Sequence, residues 1–295
     1  MTETPRICDY EGSNYRTEFW EGQGRNYEDT VERQVLRRLL PSQGKRLLEI
    51  GAGFGRLTHE YDAYEHVVLL DYSFSQLQFA REQLGDERYT YVAADAYRLP
   101  FKAGVFDGAT MIRVIHHFER VPEVLQAIRG VLADHATFIL EHANKRNMKA
   151  LMRHALGKQD WNPNTLDPVE FVELNFNFHP RYIAEQLQHA DFTMTERVPV
   201  SFFRLGMLKR TLSPSLLAGM DAMMQKSGWL VSPSIFTANV ASGNHGDQTV
   251  LARDAIFASP HNGSELRRDG DLMIDDQGTR WQIRDGIYDF KAPMI

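Results

Sequence analysis

Between residues 46 and 143 the apolar positions fall into short unbroken runs rather than alternating ones. RLLEI (46–50), HVVLLDY (66–72), YTYVAAD (89–95), FDGATMIRV (106–114) and TFILEHA (137–143) each read as a buried strand. Helical spacing fills the gaps between them. Ser73 with Gln76 fits a capping box for a helix to about residue 84, closed by Gly85. Pro122 opens another helix, to about Ala133. Ahead of the first strand, Asp29 with Glu32 resembles a capping box, and Val31, Val35, Leu36, Leu39 and Leu40 share one face until Pro41 and Gly44. Continuous apolar strands separated by helices predict a parallel sheet covered on both faces, a doubly wound Rossmann-like α/β fold.

After residue 143 the rhythm changes. Asn144 to Leu156 reads as a helix whose Lys145, Arg146, Lys149 and Arg153 form a basic face, either solvated or turned to an anionic substrate. Asp167-Pro168 with Glu170 is expected to start a short helix, and His179-Pro180 a longer one through Gln188. TMTERVPV (193–200) and SIFTANVA (234–241) read as strands on either side of a Met-rich helix near 214–226, with Met220, Met223 and Met224 expected in the core. The segments 144–178 and 201–233 are then insertions at the carboxyl edge of the sheet, where substrate caps are built. SGNHGDQ (242–248) reads as a linker. The organisation expected is an N-terminal lid and helix (1–45), a main domain (46–241) and a small β-rich unit (251–295).

Composition narrows the function only a little. With 43% hydrophobic and 24% charged residues among 295, the chain can bury a core. The lone Cys8 excludes an internal disulfide framework and any zinc site built on several thiolates. A net charge of −6 gives no general pull toward nucleic acid or an anionic membrane. No apolar run is long enough to span a bilayer, and MTETPRICDYEG lacks the apolar middle of a signal peptide, so a cytoplasmic protein is expected.

The chemistry gathers at three consecutive strand ends. Glu49-Ile50-Gly51-Ala52-Gly53-Phe54-Gly55 lets the backbone turn sharply and approach a ligand. Asp71, ending the second strand, can accept both hydroxyls of a ribose. Asp95, or the amide of Ala96, can read an adenine edge at the end of the third. Such turns and acids also serve plain packing and helix capping, but the joint spacing favours a nucleoside ligand. A nicotinamide fingerprint needs a small residue at position 56, where Arg56 stands, and Glu49 would crowd a pyrophosphate. An acid there suits a ligand carrying an ammonium and a sulfonium. S-adenosylmethionine meets that description.

Residues 46–143 resemble a class I S-adenosylmethionine-dependent methyltransferase. The matching pieces are EIGAGFG, Asp71, Asp95-Ala96, RVIHHF and the helix VPEVLQAIRGVLA. The strands at 193–200 and 234–241 fit the antiparallel sixth and seventh strands of its seven-stranded sheet. The resemblance implies that Glu49 and the turn Gly51, Ala52, Gly53 and Gly55 flank the methionine part, and that Asp71 holds the ribose. Tyr72 would line the adenine, Asp95 and Ala96 would contact its edge, and Arg113 would sit by the methionine carboxylate or the substrate entrance. S-adenosylhomocysteine would be the product. RVIHHF lacks the Asn/Asp-Pro-Pro-aromatic turn of enzymes that methylate base amines or glutamine amides, which points to a small or medium-sized organic acceptor methylated on O, C or N. A non-catalytic S-adenosylmethionine-binding partner or sensor, and an RNA or protein methyltransferase, are the alternatives.

Little else is needed for methyl transfer beyond alignment, unless the acceptor must lose a proton. His116 and His117 follow the fourth strand and are the candidate bases, or else a packed turn. Tyr15, Phe19, Trp20, Arg25 and Tyr27 could close over cofactor and acceptor, or merely anchor the N-terminus. The tail, ending RWQIRDGIYDF, resembles the zinc-ribbon-like domain found beside some methyltransferases. Its four thiol positions read Ser259, Asn262, Ile274 and Gln277, so no metal is expected there. A unit this small must rest on Leu266, Leu272, Trp281, Ile283, Ile287 and Phe290, and on docking to the main domain or a second subunit.

Overall fold

The structure is a computed structural model that describes residues 5–13, 16–20, 23–243 and 246–294, without the side chains of 18 and 19. Helix α1 (Asn26–Leu39) leads into strand β1 (Gly44–Ile50), followed by β2 (Tyr64–Asp71), α2 (Phe74–Leu84), β3 (Tyr89–Ala93) and β4 (Phe106–Met111). Next come α3 (Val121–Val131), β5 (Leu132–Ala143), α4 (Met148–Ala155), the two-stranded β6 (Val169–Val172) and β7 (Asn175–Asn177), and α5 (Pro180–His189). Strand β8 (Phe192–Val200), α6 (Gly206–Thr211), α7 (Pro214–Gln225) and β9 (Ser234–Ala241) complete the main body. The tail adds β10 (Arg267–Asp269), β11 (Leu272–Ile274), β12 (Arg280–Arg284) and β13 (Ile287–Asp289).

Seven strands lie in the order β3-β2-β1-β4-β5-β9-β8; β9 alone is antiparallel, pairing so with both β5 and β8, so β8 runs with the first five rather than against them as expected. The chain winds outward from β1 in both directions, so the crevice between the carboxyl ends of β1 and β4 is the topological switch point. Leu47, Leu48 and Val67 to Leu70 are buried, as expected of strands covered on both sides. One apolar layer joins the sheet to α3 and α5 through Val124, Leu125, Ile128, Ile183 and Leu187. The other joins it to α1, α2 and α7 through Val31, Val35, Leu36, Leu77 and Leu217.

The sheet does not stop at seven strands. β13 pairs in parallel with β3, Ile287 opposite Tyr91, and β12, β11 and β10 continue outward, giving eleven. The tail thereby covers a β3 edge that would otherwise offer unpaired backbone groups. Trp281, Phe257 and Phe290 join the α3 layer, so tail and main body share a core. Where the ribbon-like pattern has thiols, Asp275 accepts from Ser259 Oγ at 3.2 Å and from the amides of Gln277 and Thr279 at 3.0 and 2.8 Å. Hydrogen bonds to one carboxylate close this turn.

Several local expectations are corrected. Helix α1 begins at Asn26 with no side-chain cap, and Asp29 and Glu32 are turned to arginines instead of to the helix end. Residues 167–170 start no helix. They run into and begin β6, and the buried Lys145 ammonium donates to the carbonyls of Thr165 and Asp167 just before it, at 3.0 and 2.6 Å. Lys145 is therefore no part of a solvated face. Met223 is 68% exposed rather than core, and α7 buries Leu217, Ala218 and Asp221 instead.

Candidate functional site

The turn after β1 carries positive φ at Gly51 (69°) and Gly53 (54°). These two glycines do different work. A Cβ on Gly51 would lie 2.2 Å from Val114 Cγ2, so Gly51 is needed for close packing. A Cβ on Gly53 would meet no heavy atom within 4 Å, so its open side faces a cleft. The Gly53 amide donates to Asp71 Oδ2 at 2.8 Å, and the Ser73 amide to Oδ1 at 2.8 Å. Ser73 also caps α2 by accepting from the Gln76 amide, as its sequence signal implied. Gly55 lines neither side of this cleft and packs on Leu84 of α2.

The first lobe of the cleft is lined by Gly51, Gly53, Asp71, Tyr72, Asp95 and Ala96, with a volume of about 100 Å³. Burial raises the Asp71 carboxyl above its usual range while the two amides oppose that shift. Each Asp71 oxygen takes one of these amides and keeps a lone pair for a hydroxyl donor. Asp95 Oδ1 accepts from the Tyr97 amide at 2.9 Å, and Lys291 of the tail sits 5.3 Å from the centre of the Tyr72 ring.

The roof of this lobe was not legible in the sequence. Ile7, Cys8 and Tyr10 form it. Glu11 pins the segment by accepting from the amides of Phe74 (2.6 Å) and Ser75 (3.2 Å) at the start of α2. Arg6 pairs with Glu119 at 2.9 Å and with Glu170 at 3.2 Å. A segment with no period, held by three scattered acids, leaves no signal a sequence reading can use.

The second lobe, about 40 Å³, lies on the other side of the glycine turn, among Glu49, Ala52, Trp20, Arg56 and Arg113. Glu49 accepts from Thr58 Oγ1 at 2.6 Å and Tyr61 OH at 3.3 Å, and burial pushes its carboxyl up to about 7. Trp20 lies under the Arg56 guanidinium, 3.6 Å from ring centre to Cζ. Arg56 is tied to Asp29 at 2.5 Å and Glu32 at 2.7 Å, and Arg113 Nε donates to Glu32 at 2.6 Å. Burial alone would raise Glu32, but Arg113 and Arg56 hold it at about 2.

Arg113 itself is left-handed, φ 61°, an uncommon conformation for a residue with a long side chain. Its amide donates to Glu141 Oε2 at 2.8 Å. It lines both lobes and a third space, so it stands at their junction. That third space is a cavity of about 1260 Å³. Its walls come from α4, from β7 and the 171 position of β6, from 202–205, and from Met224 and Trp229.

His116 and His117 sit on one turn of 3₁₀ helix after β4, their rings 4.1 Å apart. Both line the large cavity, and His117 lines the first lobe as well. The Leu174 carbonyl lies 2.8 Å from His117 Nδ1, and a carbonyl only accepts. Nδ1 therefore carries the proton, and Nε2 presents a lone pair, toward Tyr10 OH at 3.3 Å. Burial lowers both imidazoles below their usual value, His116 the further. Among the lid candidates, Trp20 lines the second lobe and Arg25 the large cavity. Tyr27 lines neither: it is buried, donating to Asp221 at 2.9 Å and accepting from the Phe203 amide at 3.1 Å. Tyr15 and the Phe19 side chain lie outside the described residues.

Comparison with known proteins accords with this geometry. Residues 48–140 match the methyltransferase domain family. Over 112 residues the chain is 35% identical to the O-methyltransferase cnsE of Penicillium expansum, covering 35% of this chain and 40% of that protein. Over 79 residues it is 39% identical to the demethylmenaquinone methyltransferase of Clavibacter sepedonicus, covering 26% and 32%. The chain thus spans less than half the length of either relative. Among solved structures, an S-adenosylmethionine-dependent methyltransferase from Thermotoga maritima superposes with a TM-score of 0.55 at 16% identity, over 76% of this chain and 94% of its own. That last likeness speaks for the fold. Residues 48–140 are thus similar to a methyltransferase domain, and the Rossmann-like sheet shares its fold with the Thermotoga maritima protein. No described helix is long and apolar enough to cross a membrane.

Proposed function

We propose that the protein transfers a methyl group from S-adenosylmethionine to an O, C or N atom of a small or medium-sized organic acceptor. The observation that carries this reading is continuity. Tyr10, Arg113 and His117 line both the first lobe and the large cavity, so donor and acceptor spaces meet at three side chains. The cofactor supplies an activated methyl on sulfur. Asp71 holds the ribose hydroxyls, Tyr72, Asp95 and Ala96 border the adenine, and Glu49 with the Gly51–Gly53 turn receives the cationic methionine end. The open side of Gly53 and the free lone pairs of Asp71 fit that group.

Rate then comes from holding acceptor and methyl in line while water is excluded. His117 adds a base where the acceptor must lose a proton. Its Nε2 lone pair is set by the Leu174 carbonyl, and its lowered pKa keeps it neutral at pH 7. The caps at 144–178 and 201–233 would enclose an acceptor of some size, in keeping with the cavity volume. Curated relatives named for O-methyl transfer and for demethylmenaquinone support an organic acceptor rather than a macromolecule. Calorimetry with S-adenosylmethionine, followed by an assay for S-adenosylhomocysteine over a panel of phenols, quinols and carboxylic acids, tests this. Absence of cofactor binding would overturn it. Cofactor binding with no product from any acceptor would favour a sensor instead.

A further inference from the structure

The large cavity is cation-lined in an acidic protein. Arg25, Arg113, Lys149, Arg153, Lys158 and Arg204 face it, against Glu141 as the one carboxylate among its described lining residues. The chain as a whole carries −6. Most buried arginines here are tied down. Arg46 donates to the carbonyls of Val105 and Leu251, Arg129 to those of Leu132 and Ser242 and to Asp134, and Arg113 to Glu32.

Arg204 differs. Its Nε and Nη2 are buried with no hydrogen-bond partner among the described residues, and its side chain lines the cavity. Each acid in its neighbourhood is already committed. Glu28 takes Lys209 at 2.9 Å, Glu32 takes Arg56 and Arg113, and Glu141 accepts from Ser234 Oγ and the Arg113 amide. A buried guanidinium with an unpaired edge is costly in the free protein and is compensated by an anion that completes it. Nε and Nη2 are adjacent parallel donors, a fork that matches the two oxygens of a carboxylate. Arg204 lines the large cavity and neither of the two lobes given to the cofactor. Around it the wall is apolar, with Phe202, Phe203, Leu205, Met224 and Trp229.

We propose that the acceptor is a carboxylic acid with a sizeable apolar body, whose carboxylate is held by the Arg204 guanidinium, the buried Nε–Nη2 edge turning to the cavity as the acid binds. This rests on the methyltransferase reading above for the role of the cavity, but not for the anion site itself. Lys149, Arg153 and Lys158, exposed at the mouth, attract such an acid on its way in.

The test uses the full chain and two probes, dodecanoate and 4-phenylbutyrate, each paired with its primary alcohol. Binding is measured by calorimetry with and without saturating S-adenosylhomocysteine. Each acid is expected to bind more tightly than its alcohol, and Arg204→Gln to weaken the acid roughly 10- to 100-fold while leaving the alcohol unchanged. Arg204→Lys keeps the charge but not the fork and recovers only part of the loss. Arg204→Met is expected to leave the melting temperature unchanged or higher, which a structural role for Arg204 would not allow. Equal affinity for acid and alcohol overturns the proposal, as does failure of both acids to bind at about 1 mM, a threshold below useful recognition. So does equal weakening of both members of a pair, or a fall in melting temperature. Affinity for S-adenosylhomocysteine is read separately, so its loss would strike the cofactor reading and leave the anion site standing.

Discussion

The cofactor cleft and the acceptor cavity meet at Arg113 yet are built in opposite ways. The cleft is made by backbone: glycines at positive φ, strand ends in register, and Asp71 locked by the amides of Gly53 and Ser73. Its polar groups are mostly paired before any ligand arrives. The cavity is made by side chains from inserted segments, is more than ten times larger, and leaves Arg204 unpaired with Trp229 61% and Leu205 66% exposed. One region is preorganised for a single molecule. The other leaves polar and apolar side chains without protein partners among the described residues. Cleft variants should move cofactor affinity alone, and cavity variants should move acceptor parameters alone.

The harshest test falls at the boundary. If the acceptor is deprotonated during transfer, His117→Ala should lower kcat by about 10²- to 10⁴-fold with little change in cofactor affinity. The working form is the neutral imidazole, and burial lowers its pKa, so the acid limb of the wild-type pH profile should lie below 6.5 and vanish in the variant. If the acceptor is already an anion, neither effect appears and His117 only positions Tyr10. Asp71→Ala comes next, with roughly 100-fold weaker S-adenosylmethionine binding from the loss of hydroxyl acceptors. Unchanged binding would remove the cleft from the cofactor's path.

The two glycines separate packing from binding on one turn. Gly51→Ala must push Val114 aside at positive φ and should lower the melting temperature by about 5–10 °C. Gly53→Ala meets nothing, so it should cost only about 1 kcal/mol for its backbone conformation, yet weaken the cofactor about tenfold by filling the cleft. Equal effects of the two on stability and on binding would mean that the turn is structural throughout.

This contrast also explains what could be read from sequence. The five parallel strands, the Ser73 cap, the glycine turn and Asp71 depend on local patterns whose geometry follows from neighbours in the chain. Glu32 looked like the end of a capping box because a helix start is local too, but Arg56 and Arg113 claim it from 24 and 81 positions away. Lys145 likewise turns from the surface to the carbonyls of Thr165 and Asp167, 20 and 22 positions on. Arg204 gave no signal at all, since an arginine without a partner is defined by what surrounds it. The tail's apolar positions were legible, whereas its register with β3 was set by a strand nearly 200 residues upstream.

The mildest change tests the cavity wall. Trp229 stands 61% exposed beside Met148, Met152 and Leu156, which are also exposed and line the same space. Apolar surface gathered at a cavity mouth and left in water marks a binding site. Because so much of the ring is solvated in the free protein, Trp229→Ala removes little packing and should leave the melting temperature within about 1 °C. An apolar acceptor that covers the ring would lose part of the 25 cal/mol gained per Å² buried, so KM should rise by roughly 3- to 10-fold. Cofactor affinity should not move, because Trp229 touches neither lobe of the cleft. A fall in stability would instead make the tryptophan a strut of the cap, and a loss of cofactor affinity would show that the two regions are not independent.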